Sequence, residues 1–162
     1  MTTPPMLRQM RHDVWATQRL LERCRSLTSE QLQLTAPGTY GTIQKTLAHI
    51  VRANEAYLNT YGLIPQPFIE LSAPLDEIAS RLARVRDAVE QLFKSKQQDF
   101  DRRIRDERRK AELELWVPLA QFSHHGSDHR SQICTILTLN ALDVPELDVW
   151  SYAVAEGAFA PS

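Results

Sequence analysis

The chain has only two cysteines, Cys24 and Cys134, in 162 residues. Two are too few for a disulfide framework in a domain of this size. Neither has a C-x-x-C neighbour, so no motif supports a redox pair. Each falls in a helical apolar pattern, where cysteine serves as a small buried hydrophobe. No apolar run is long enough to span a bilayer. The opening residues, MTTPPMLR, lack the apolar stretch of a secretion signal, and the expectation is a cytoplasmic protein. An excess of one charge is also missing: 19 basic and 20 acidic residues leave a formal net charge of −1. That balance argues against nucleic acid or a membrane surface as the main partner. No repeat or low-complexity segment is evident.

What is present is an ordinary globular composition, 43% hydrophobic and 24% charged. The length suits a single domain over residues 1–162, large enough to bury a core without staples. The patterning is helical nearly throughout. A first helix begins after Pro4 and Pro5, and Met6, Met10, Val14, Leu21 and Cys24 form its apolar stripe. Thr28 with Gln31 reads as a capping box opening a short helical turn. Residues 36–41, APGTYG, read as a loop. A second helix is predicted over about 42–61 on Ile43, Leu47, Ile50, Asn54, Leu58 and Tyr61. Prolines at 65 and 67 follow in a loop. A third begins near 72–75 on Ile78, Leu82, Val85, Val89 and Leu92. Arginines and acids fill its other, solvated face.

Residues 97–117 are crowded with alternating charge and read as a solvated connector rather than a basic patch. Within them, 113–116 alternate briefly, as a short strand would. Pro118 marks the start of a fourth helix, and 145–152 a short terminal one. Four long helices with a long crossover between the third and fourth make an all-α four-helix bundle.

The chemistry-bearing segment is FSHHGSDHRSQI at 122–133. His125 and His129 are four residues apart, so their imidazoles lie one above the other on a helix face. Two imidazoles so spaced can chelate one divalent ion. Polar histidines near a surface would show the same spacing. His49, on the second helix beside Ala53 and Ala56, could complete a three-nitrogen site with an open position for water or substrate. His124 is about 100° away around the helix and should miss such a site. His12 reads as a surface residue. Gly126 costs about 1 kcal/mol relative to alanine in a helix and lets another backbone or a ligand approach closely. Trp15, Trp116 and Trp150 read as core or interface. Arg130 could hold an anionic substrate or bridge to an acid on another helix. Gln132, three residues past His129, could stand behind the ligands.

Four segments, in order, resemble the DinB/YfiT-like superfamily of damage-inducible metalloproteins. WATQRLL at 15–21 is similar to the family's first-helix signature. GTIQKTLAH at 41–49 is similar to the segment ending in its first metal histidine. HGSDHRSQ at 125–132 resembles the H-x-x-x-H-R-x-Q motif, and VPELDVWSY at 144–152 the closing P-x-x-D-x-x-x-Y segment. Thr17 stands where the first signature often has asparagine, and Asp128 where a second histidine often precedes the ligand. The resemblance implies a four-helix bundle, often a homodimer, with His49, His125 and His129 holding nickel, zinc or iron. It also implies a transferase that uses a low-molecular-weight thiol, such as bacillithiol or mycothiol, against a small-molecule electrophile. Neutral histidine ligands would leave the centre positive, favouring an anionic nucleophile. Metal-assisted hydrolysis and a non-catalytic metal-binding or stress-interaction role are the rival readings.

Overall fold

A computed structural model describes residues 3–94, 99–106 and 109–160. Gln97, Gln98, Glu107 and Arg108 of the charged connector lie outside these residues. Four long helices dominate: α1 (Pro5–Cys24), α3 (Ile43–Asn59), α4 (Leu75–Leu92) and α5 (Trp116–Leu139). The short α2 (Ser29–Leu32) follows α1, and α6 (Val149–Ala155) follows α5. Between α4 and α5 runs the long crossover, which carries an antiparallel hairpin of β1 (Arg103–Asp106) and β2 (Ala111–Glu114). Ile104 pairs with Leu113 in its register. Of the alternation at 113–116 only Leu113 and Glu114 belong to β2, and Trp116 already opens α5; the partner strand among the charged residues had no apolar pattern to reveal it.

The long helices form a closed ring in which α1 packs on α4, α4 on α3, α3 on α5 and α5 on α1. The predicted stripes face inward. Ile78, Leu82, Val85, Val89 and Leu92 are all buried, as are Met10, Leu21 and Cys24 from α1 and Ile43, Leu47, Ile50 and Leu58 from α3. Burial pushes the Cys24 thiol up to about 12, so this cysteine stays a protonated core residue.

Local chemistry fixes the helix ends. Pro5 opens α1, where its missing N–H is no loss. Thr28 and Gln31 form the capping box, and Thr42 accepts from the Lys45 N–H at the start of α3. The fourth long helix starts at Trp116, two residues before Pro118. Proline fits there because N–H groups of the first turn have no intrahelical partner. Trp116 and Trp150 are 46% and 69% exposed, so neither is core.

His12 corrects a second expectation. It is half-buried, its Nε2 lies 2.8 Å from the Leu147 carbonyl oxygen, and its ring packs against Trp15 and Tyr152. It pins the C-terminal segment to α1. No described helix is long and apolar enough to cross a membrane.

Candidate metal centre

The packing of α3 against α5 brings His49 to His125 and His129. One ring nitrogen from each lies within 4.8 Å of the others. The Nε2 atoms of His49 and His125 are 3.0 Å apart. Ring centroids are 4.8 Å apart for His49–His125, 4.7 Å for His49–His129 and 4.4 Å for His125–His129. Burial, with each ring beside other potential cations, pushes His49 and His125 down to about 4. Both are therefore neutral at pH 7, the form that offers a lone pair to a cation.

The loop before α3 covers the cluster. Tyr40 stacks on His49 with centroids 3.9 Å apart and 15° between the planes. Gln132 ties that loop to α5. Its Oε1 accepts the Tyr40 backbone N–H at 3.0 Å and lies 2.9 Å from His129 Nδ1. Accepting from a backbone amide marks this atom as the carboxamide oxygen, which carries no hydrogen to donate to a ring nitrogen. His129 Nδ1 is therefore the protonated nitrogen, and Nε2 carries the lone pair.

Arg130, one residue on, points about 100° away around α5. It meets Asp13 of α1, with Nη1 2.6 Å from Oδ1, and also donates to Thr17 Oγ1 at 3.0 Å. Arg130 and Asp13 are 5% and 1% exposed. Of the two expectations for Arg130, the bridge to an acid on another helix is the one the fold realises. Gly126 makes room for it: a Cβ there would lie 2.3 Å from Asp13 Oδ1. His124 faces outward, its Nε2 3.6 Å from Asp128.

Beside the histidines opens a pocket of about 300 Å³ lined by His49, His125, Arg52, Tyr40, Tyr57 and Leu71. Ala53 and Ala56 also face it, and their small side chains leave the space. Nothing in the sequence pattern singled out Tyr40, Arg52 or Asp13, and Thr17 stood out only as a departure from the first-helix signature. For Asp13 and Thr17 a signal existed. Asp13 and Thr17 sit inside the apolar stripe of α1, three residues after Met10 and three after Val14, where a polar residue needs a buried partner.

The family model for the DinB family matches residues 1–158. The chain belongs to the DinB family. Two solved structures share its DinB-type fold. A DinB-like protein from Bacillus cereus aligns with a TM-score of 0.62 at 22% identity, covering 82% of this chain and 90% of its own. YfiT from Bacillus subtilis aligns with a TM-score of 0.62 at 13% identity, covering 88% and 91%. YfiT is described as a probable metal-dependent hydrolase with an unusual four-helix bundle topology. No curated protein matches the sequence. At these identities the likeness speaks for the fold alone.

Proposed function

We propose that this DinB-family chain is a divalent-metal-dependent enzyme whose ion is held by His49, His125 and His129. The observation that carries the reading is the convergence of three ring nitrogens within 4.8 Å, two of them neutral imidazoles at pH 7. The donor set fits the group: three imidazoles suit zinc, iron or nickel, and three protein ligands leave a coordination position open. A bound ion supplies Lewis acidity that lowers the pKa of a thiol or water. The chain's residues do the rest. Gln132 fixes the His129 tautomer, Tyr40 shields the His49 face from water, and the pocket beside His125 admits a small molecule.

Thiol transfer is the reaction we favour: a low-molecular-weight thiol as nucleophile and a small electrophile as partner. It rests on the family resemblance of the motifs. Hydrolysis is the second reading, supported by the description of YfiT. The two differ in whether added thiol is consumed. A non-catalytic metal-binding role needs the same ligands and would show metal without turnover. A homodimer belongs to the same proposal and predicts a species near twice 18.6 kDa in sedimentation at micromolar concentration. A cytoplasmic setting also belongs to it, supported by two unpaired cysteines.

The test is elemental analysis of untagged protein, followed by a screen of thiols against electrophiles. His125→Ala should lose both metal and turnover with the helix intact, since alanine has the best helix propensity. His124→Ala should lose neither. Turnover that survives in metal-free His125→Ala protein would refute the metal reading.

A further inference from the structure

The pocket beside the histidines is charged on one side only. Arg52 is its one cationic wall residue, and none of the residues lining it is acidic. Arg52 lies three positions after His49 on α3, so the two side chains share a helix face. Lys45 adds a second positive charge at the rim, its Nζ 5.6 Å from the Tyr40 ring centroid. Among the described residues Arg52 makes one ion pair, with the carboxylate of Glu70, 3.9 Å away and 79% exposed, where water screens it heavily.

The arginine is also held in place. Its Nη1 donates to the carbonyl oxygens of Ile69 and Phe68. Ile69 is fully buried, and its own N–H donates to the buried Glu55 carboxylate at 2.7 Å. Both polar groups of this one peptide segment are thus clamped to α3. With Nη1 committed, the Nε and Nη2 edge of Arg52 has no partner among the described residues. That edge presents two parallel N–H donors, the geometry that receives a carboxylate bidentately. A guanidinium held at one end loses little freedom when it binds at the other. The remaining walls, Tyr40, Tyr57 and Leu71, are aromatic or apolar. The volume of about 300 Å³ suits a small organic molecule.

We propose that the pocket takes a small carboxylate-bearing substrate and that Arg52 is its anchor. This names the substrate class of the site described above and rests on that site's reading for its catalytic meaning. Binding of the anion itself does not require the metal. The carboxylate docks on Arg52, the organic body lies between the tyrosines, and the rest of the molecule extends toward His49 and His125.

The test is calorimetric titration with acetate, benzoate and phenylpropionate against the matching amides, using metal-free and zinc-loaded protein. In the metal-free wild type at least one acid should bind tighter than its amide. Arg52→Gln should weaken the acid roughly 10- to 100-fold and leave the amide unchanged, the range expected for a charged hydrogen bond. Arg52→Lys should fall between, keeping the charge and losing the two-pronged edge. Both variants should still bind zinc, since His49, His125 and His129 are untouched. No acid preferred over its amide by the metal-free wild type would overturn the proposal, and this arm needs no variant to fold. An unchanged acid-to-amide ratio in Arg52→Gln, with a lowered melting temperature, would overturn it too, leaving Arg52 a clamp on the segment at Ile69. Failure of the wild type to bind zinc would instead defeat the metal reading, while the metal-free arm still decides on Arg52.

Discussion

The Asp13 carboxylate and the Arg130 guanidinium meet 2.6 Å apart in the interior, one residue beyond His129. The pair links α1 to the helix that carries two of the three clustered histidines. Burial presses the Asp13 carboxyl upward, and Arg130 pulls it back. Removing one partner strands the other charge in the core. Arg130→Ala is expected to destabilise the protein by about 3–5 kcal/mol. Asp13→Leu combined with Arg130→Met should recover much of that loss, because apolar side chains of similar volume need no partner. Urea unfolding of the three proteins checks both statements.

Gly126 poses a contest between two effects. Alanine in a helix interior gains about 1 kcal/mol over glycine. The added Cβ would also lie 2.3 Å from Asp13 Oδ1 and 2.7 Å from Arg130 Nη1. Asp13 has a short side chain and is already committed to Arg130, so it cannot move aside without breaking the pair. Overpacking of this kind costs about 1–3 kcal/mol before the loss of the ion pair is added. Gly126→Ala should therefore lower the melting temperature, against the propensity trend.

Gln132 acts through His129. Gln132→Leu removes the oxygen that holds His129 Nδ1–H and the Tyr40 amide together. If the histidines hold a metal, affinity should fall roughly 10- to 100-fold, the usual effect of deleting a partner behind a ligand. Gln132→Glu keeps an acceptor and should retain most of the affinity. Chelator competition with zinc measures both.

The histidines also set a pH dependence. His49 and His125 take up protons near pH 4 in the folded protein and at their ordinary value of 6.5 when unfolded. Between those values the unfolded chain binds more protons, so stability falls as pH drops through that window. The metal-free protein should melt at lower temperature at pH 5 than at pH 7. A His49→Gln, His125→Gln double variant should show a flatter profile, which separates these rings from Asp13 and other groups.

The bundle was legible because apolar stripes such as Ile78 to Leu92 repeat at helical spacing and have only one side to bury. The convergence of His49 with His125 and His129 was legible from an i,i+4 pair and a matched motif. Three things were not. The strand at Arg103–Asp106 is charged and nowhere fully buried, so pairing with Ala111–Glu114 alone defines it. The role of Arg52 depends on a loop that returns to α3 after the helix has ended. The partner of Arg130 lies 117 residues earlier, and pattern reading assigns such charges to solvent by default.

His129 and Arg130 are neighbours in sequence, yet they serve different sides of α5. His129 turns toward α3, and Arg130 toward α1. The helix is keyed like a shaft with two slots a hundred degrees apart, and no rotation satisfies one slot while releasing the other. A ligand that bridges His49 to His129 would tighten the same shaft that Asp13 holds. Loading the centre would then raise the resistance of the whole bundle to unfolding with ligand concentration, and a change at Asp13 would be felt, across the width of α5, as a change in how firmly the histidines grip.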